Sequence, residues 1–476
     1  MTRPLALLDD YSAALADAGL DVPADPATGI RCAPAGHFLA ARLPVGDLAT
    51  GAVAAFASAA DRYRHTRGLE PQGARLDPER IAASFAGDRM LRLAGRPVHG
   101  FAALSGFFAA ADGWVRTHAN YPHHRVRLLR ALDLPDGAGR DDCAARIRQL
   151  PAAAVEDAAA THDAIAVRVR TEHEWATSAQ GRGAAAGPLV RILARSDSAG
   201  ETRPGGDPAR PLTGIRVLDL TRVIAGPVAA RALAMLGADV LRVDPPALPE
   251  IAWQHAENGQ GKRTALLDLR TARGRETCRR LLADADVLLT GYRPGALDAL
   301  IGAPVHQARP GVVHGRVCAW GWSGPWAPRR GFDSIVQAAS GFAVVEGRPD
   351  APGVLPVQAL DHASGYLLAA GVLDALTARL RDGRGRDAAV ALARTGAWLL
   401  QAPGRNPHPA TPASPGAGTV ATHAAVTAAR PALAEYPDYP FPARAWGADP
   451  AAWAPAPVSR VRRRTRRGSA GRPGLP

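Results

Sequence analysis

Three places in this sequence put reactive side chains where they can do chemistry. The first is Asp361, an acid between the apolar run Val-Leu-Pro-Val-Gln-Ala-Leu and the small residues of His-Ala-Ser-Gly. At the junction of that loop with a helix expected from Tyr366, Asp361 is either a helix N-cap, a role that suits Asp, or a nucleophile for covalent catalysis. On these residues alone the N-cap is the favoured reading. The second is Lys262, the only lysine among 57 Lys and Arg residues. A compact ammonium suits a single phosphate or carbonyl better than a guanidinium fork does. The third is the trio His118, His123 and His124 near Tyr121 and Pro122. It has no Cys or carboxylate at metal-ligand spacing and reads as packing at a surface or interface.

These residues need elements to position them. Ile215 to Leu220 is β-rich, Pro227 to Leu236 opens on Pro and is closed by Gly237, and Ala-Asp-Val-Leu-Arg-Val-Asp follows. That is a βαβ unit. Lys-Arg-Thr-Ala-Leu-Leu-Asp-Leu-Arg from Lys262, a helical stretch from Thr271, Asp-Val-Leu-Leu-Thr-Gly-Tyr from Asp286, Pro-Gly-Val-Val-His-Gly-Arg-Val from Pro310 and Asp-Ala-Ala-Val-Ala-Leu-Ala from Asp387 continue the alternation. A parallel sheet covered on both faces is expected. Gly331 to Gly347 and the segment from Tyr366 to Gly383 read as helices. The first turn, Thr-Arg-Val-Ile-Ala-Gly-Pro, lacks the GxGxxG glycines, so no bound nicotinamide dinucleotide is expected.

Residues 1–195 read as a mainly helical region, and 196–211, rich in Gly, Pro and charge, as a linker. Residues 212–400 form the α/β domain, 401–457 a Pro- and Ala-rich strap suited to lie on a partner surface, and 458–476 a disordered basic tail. No regular internal repeat is evident. At 476 residues the chain is long enough for roughly two or three domains.

The net charge of +13 falls to +6 without the seven arginines of the tail. No aromatic residues interleave those arginines, so no specific nucleic-acid partner is expected. Cys32, Cys143, Cys278 and Cys318 lie far apart with no CxxC, as reduced thiols of a cytoplasmic protein do. Asp9 and Asp10 interrupt the N-terminal apolar run, and no stretch is long and apolar enough for a bilayer. Neither a signal peptide nor membrane insertion is expected.

Five stretches in order carry a specific resemblance: the βαβ unit from Leu212 to Asp244, the run from Lys262 to Arg270, Asp-Val-Leu-Leu-Thr-Gly-Tyr-Arg-Pro-Gly-Ala-Leu, Gly-Phe-Asp-Ser-Ile-Val-Gln-Ala-Ala-Ser-Gly, and Val-Gln-Ala-Leu-Asp-His-Ala-Ser-Gly. Together they resemble the family III CoA-transferases, the CaiB/BaiF family. The resemblance implies an α/β fold: a Rossmann-like, parallel-sheet CoA-binding domain with a mainly helical second region, and a homodimer. It also implies no tightly bound cofactor, with coenzyme A, as acyl-CoA, a substrate alongside a small carboxylic acid. Asp361 then matches the family's nucleophile, which attacks an acyl-CoA thioester to give a mixed anhydride. CoA-groove positions are matched by Val223, Ala225, Lys262, Leu267, Arg270, Tyr292 and Arg330, with Asp333 as an acidic neighbour of the site.

Departures from the pattern bear on function. Pro245 and Ala299 stand where transferases carry cations, with Arg242 and Arg293 available to compensate. No glycine-rich flap follows Leu400. Phe332 occupies the position of the His used by racemase relatives, which sets an acyl-CoA racemase behind transfer, and His362 beside Asp361 points elsewhere on a helix. Elements resembling the family's C-terminal half, Asp-Gly-Trp at 112 and Thr-Glu-His-Glu-Trp at 171, precede the α/β half, as in a permuted, fused or degenerate copy. A catalytically weak or inactive CoA-binding protein is the alternative.

Overall fold

The computed structural model describes residues 5–34, 36–198, 207–293 and 304–455. Its centre is a seven-stranded sheet. In chain order the strands are β1 (Arg191–Ser198), β2 (Arg216–Asp219), β3 (Asp239–Asp244), β4 (Arg263–Leu266), β5 (Val287–Thr290), β6 (Val313–Cys318) and β7 (Arg384–Ala391). They lie side by side as β4-β3-β2-β5-β6-β7-β1. All neighbours pair in parallel except β1, which runs antiparallel to β7. β2, β3 and β5 are Val- and Leu-rich and almost wholly buried, as strands covered on both faces must be. The expected α/β parallel-sheet class is what the chain adopts.

Because β2 pairs with β3 on one side and β5 on the other, the order reverses between β2 and β5. In open α/β sheets that reversal leaves a crevice at the carboxyl ends of the strands. Seven helices matter here: α1 (Ala6–Asp17), α2 (Val45–Thr66), α3 (Pro122–Ala131), α4 (Ala225–Met235), α5 (Asp333–Ser340), α6 (Ala359–Asp382) and α7 (Leu392–Gln401). α6 is buried along nearly its whole length. A Cβ on Gly365 would come within 2.6 Å of the Ala225 carbonyl oxygen, so only glycine lets α6 and α4 approach this closely.

Several boundaries differ from the sequence expectation. α6 starts at Ala359 rather than near Tyr366, so Asp361 is the third residue of the helix and not its N-cap. No side chain next to the helix start caps it. The cap comes from outside: Asp333, 28 residues earlier, accepts the Asp361 amide at 2.9 Å and also the Leu360 amide. The single helix expected over Gly331 to Gly347 breaks at Gly341, whose φ of 102° and a Glu172 backbone nitrogen 2.6 Å from any added Cβ demand glycine. β1 runs through residues 196–198 of the expected linker because its backbone completes the sheet edge beside β7.

The region before the linker contains strands as well as helices. Gly106–Ala110, Gly113–Thr117 and Ala166–Arg168 form a three-stranded sheet. With α3 and the helices Arg140–Arg148 and Ala152–Thr161 it encloses a separate core that includes Phe108, Val115, Leu128 and Ile147. The strap lies on its own chain: Asp449 and Thr264 exchange hydrogen bonds along the exposed edge of β4, and Trp453 Nε1 donates to the Leu281 carbonyl. The basic tail from residue 458 lies outside the described residues, as does Ala299.

A repeat does exist in reduced form. Ala14–Val22 (ALADAGLDV) and Ala232–Val240 (ALAMLGADV) share six of nine residues, and Asp-Leu-Ala-Thr-Gly at 47 matches Asp-His-Ala-Ser-Gly at 361. Asp47 is the third residue of α2, as Asp361 is of α6. A Cβ on Gly51 would stand 2.7 Å from Leu7 of α1, and Leu7 precedes Ala14 by the same spacing by which Ala225 precedes Ala232. A short strand and a helix, Ala74–Leu76 and Pro78–Phe85, follow α2 as β7 and α7 follow α6. The two long helices pack together, with Phe56 and Tyr366 rings 5.9 Å apart and a buried Arg62–Asp374 pair at 2.7 Å.

Candidate functional site

At the strand-order reversal lies a cavity of about 420 Å³. Its walls come from the β2–α4 turn (Leu220, Arg222 to Gly226), the end of β5 (Gly291 to Arg293), the end of β6 (Val317 to Trp320) and the loop Ala327 to Phe332. Tyr121, His123 and His124 close one side, and Asp361 lies on the lining.

Asp361 is 6% exposed, and its carboxylate has no hydrogen-bond or ion-pair partner among the described residues. Burial first, and the charge of Asp333 second, hold its carboxyl well above the usual carboxylate range. Asp333 itself is fully buried and pushed up to about 6 by burial, against the pull of the Asp361, Leu360 and Gln337 donors. A carboxylate stripped of water and of hydrogen bonds is a more reactive nucleophile than a solvated one, provided that it is ionised. Cys318 shares the cavity, but burial pushes its thiol up to about 12 and keeps it protonated.

The β2–α4 turn is strained. Val223 has φ +71°, a left-handed conformation that a β-branched residue adopts only under constraint. Glu250 accepts its amide at 3.1 Å and the Asn258 side chain donates to its carbonyl at 2.9 Å. Glu250 is in turn held by Arg242 at 2.9 Å. The turn sets Ala225 and Gly226, whose amides open α4 ahead of Pro227 and have no intrahelical acceptor, on the cavity lining, where a helix N-terminus suits an anion or a developing oxyanion.

Of the residues expected at a CoA groove, Val223, Ala225, Tyr292 and Arg330 line this cavity with Asp361. Asp333 stands directly behind Asp361. Lys262 does not reach the cavity: 1% exposed, its ammonium donates to Asp219 Oδ2 and the Pro227 carbonyl, both at 3.1 Å, and burial lowers it to about 8. Leu267 packs against a small core that includes Leu218 and Leu241. Arg270 is exposed and paired with Asp268 at 2.8 Å. Arg242, offered as a compensating cation, is buried against Asp244 and Glu250, whereas Arg293 is on the cavity wall. His362 stacks on Phe85, 5.2 Å away, and is not part of the lining.

Sequence reasoning missed Tyr121, His123, His124, Arg222, Trp320 and Arg329. The histidines carried a signal, three imidazoles within seven residues, but they belong to the region before the linker and only tertiary packing brings them here. Among the described residues no group of three or more His, Cys, Asp or Glu is arranged to hold a metal ion, and no helix is long and apolar enough to cross a membrane.

Residues 212–428 match the family model described as CoA-transferase family III. A probable fatty acyl-CoA transferase of Mycobacterium tuberculosis is 36% identical over 196 residues, 38% of this chain and 50% of the relative. A succinyl-CoA–D-citramalate CoA-transferase of Chloroflexus aurantiacus is 34% identical over 38% of this chain and 48% of its own length. The crystal structure of a CaiB/BaiF family protein from Brucella suis is 30% identical, with a TM-score of 0.37, over 41% of this chain and 57% of that one. The chain thus spans about half the length of the curated relatives it matches. The strained turn, Asp361 and every lining residue of the cavity except Tyr121, His123 and His124 fall within the stretch that matches CoA-transferase family III.

Proposed function

We propose that this protein is a CoA-transferase that moves CoA from an acyl-CoA thioester to a carboxylic acid through an anhydride on Asp361. The observation that carries the reading is the buried Asp361 carboxylate, without a partner among the described residues, on a cavity at the carboxyl ends of β2, β5 and β6 and inside the segment that matches the family III model. The Asp361 carboxylate attacks the thioester carbonyl, the C–S bond breaks, and CoA leaves as thiolate. The thiolate attacks the aspartyl carbonyl of the anhydride and expels the donor acid as its carboxylate, leaving an aspartyl-CoA thioester. The acceptor carboxylate runs the two steps in reverse and departs as its own thioester, with no net change in protons. First-turn amides of α4 suit the oxyanions of these steps, and Tyr292, Arg293 and Arg330 suit the CoA side of the cavity.

The test is covalent trapping. Purified protein is incubated with a panel of acyl-CoAs, quenched with hydroxylamine and mapped by mass spectrometry. A hydroxamate on Asp361 is expected. CoA binding with no modification by any thioester would favour a CoA-binding protein without turnover.

A further inference from the structure

The transfer reading leaves one wall of the cavity unused. After the strand Gly113–Thr117 the chain passes His118, Tyr121, His123 and His124 into α3. The Tyr121 hydroxyl donates to Glu250, the same acid that holds the Val223 turn, so this wall is fixed to the turn. His118 stacks flat on Phe332 at 3.9 Å and 4°. His124 meets Phe332 edge-on at 5.7 Å, with His123 4.1 Å and Tyr121 5.3 Å from its ring.

His124 is 4% exposed, its Nδ1 has no hydrogen-bond partner, and it lines the cavity. Burial, and then the neighbouring His123 and His118, lower it to about 2. The imidazole is therefore neutral, with one donor and one acceptor nitrogen. Buried polar atoms are nearly always paired, and leaving one unpaired is unfavourable. His124 is thus a buried imidazole on the cavity lining with no hydrogen-bond partner among the described residues, its Nδ1 sealed from solvent. Arg222 and Arg329 on the surrounding walls are paired with Glu250 and Glu156, and Arg330 shares one acid, Asp163, with Arg127 and Arg293, so that side of the cavity keeps a surplus of positive charge.

We infer that His124 reads the acid being transferred, hydrogen-bonding a second carboxylate that this acid carries beyond its reacting carbonyl. The inference rests on the transfer reading for its substrate. It makes His124 a specificity residue supplied by the region before the linker. A site built around such a bond rejects the analogue lacking the group far more strongly than an apolar pocket would.

Succinyl-CoA and butyryl-CoA have the same carbon count and differ in that carboxylate. In wild type, kcat/KM for succinyl-CoA should exceed that for butyryl-CoA at least tenfold. His124→Phe, which keeps an aromatic ring against Phe332, should bring the ratio near one by losing the succinyl rate while the butyryl rate stays within about threefold. His124→Asn, which keeps a donor, should retain an intermediate ratio. The same pair of Kd values is measured on Asp361→Asn protein, which cannot be acylated, so that His124 is assayed without chemistry. A Kd ratio that collapses with His124→Phe, without acylation of wild type, would uphold His124 and refute the transfer reading. Acylation of Asp361 with both ratios indifferent to His124 would overturn the inference and leave the transfer reading standing. A wild-type preference for butyryl-CoA would also overturn it.

Discussion

Replacing Lys262 by Met tests why the chain keeps one ammonium. The Lys262–Asp219 pair is dry, 1% exposed on the lysine and 0% on the acid. Asp219 also accepts the Thr221 amide at 2.9 Å and the Thr221 hydroxyl, so it anchors the first residues of the β2–α4 turn. Met fills a similar volume and leaves Asp219 without its countercharge. At about 3 Å and an effective dielectric of roughly 20 the attraction is about 5 kcal/mol, and breaking such a buried pair costs about 3–5 kcal/mol. Against a total stability of about 5–15 kcal/mol this is a large fraction. Urea unfolding should show a loss of that order, and acyl-CoA affinity should fall although Lys262 touches no ligand. Lys262→Arg should cost about 1–3 kcal/mol, because a guanidinium must be forced into a space that fits an ammonium. The double variant Lys262→Met, Asp219→Asn, which removes both charges, should recover much of the stability. A single Lys262→Met variant within 1 kcal/mol of wild type, or a double variant no better than the single, would refute the reasoning.

Three further variants test the same geometry. Asp361 must be ionised to attack, and its carboxyl is held high by burial and then by Asp333. Asp333→Asn should therefore move the acid limb of the kcat/KM profile to lower pH while keeping the amide cap of α6, an unmoved limb counting against the pairing. Asp361→Asn should abolish transfer and spare CoA binding. A carboxyl raised in the fold stabilises below its unfolded pKa, and that contribution is lost as pH rises through the folded value. At pH 8 the Asn variant should accordingly melt a few degrees above wild type. Asp47→Ala, the counterpart in α2, should leave transfer unchanged: Asp47 is half-buried, its carboxyl is raised by burial, and it lines none of the described cavities.

The sheet was legible because strands buried on both faces are written as short Val- and Leu-rich runs between Gly- and Pro-marked turns, and those marks are local. The start of α6 was not, because its cap is a tertiary one. Gln358 gives no local signal, and Asp333 reads as an ordinary acid until the fold sets it on the helix end. The same distinction sorts the site residues. Val223, Ala225, Tyr292 and Arg330 sit at carboxyl ends of strands or in the loop after β6, where the chain order of an α/β sheet already directs a crevice. Lys262, Leu267 and Arg270 border β4, the strand farthest from the order reversal on its side of the sheet, so their side chains meet Asp219, a satellite core and solvent instead.

The histidine wall and the hidden repeat were illegible for a related reason. Tyr121 is 129 residues from Glu250, and nothing in either neighbourhood announces the other. Four glycines of the repeat have a steric reason to be shared. Gly51 and Gly365 are held by helices that would collide with any Cβ, and Gly19 and Gly237 by the left-handed φ values, 72° and 98°, that end α1 and follow α4. Outside the two short stretches the copies share little sequence, while the helix pair is present in both. The divergence is also functional. The Asp361 copy keeps the turn from Leu220 to Val223 ahead of its first helix, with Glu250 and Asn258 to hold it. The Asp47 copy has no described counterpart of that turn, and an acid at the third position of a helix has no substrate to meet without it.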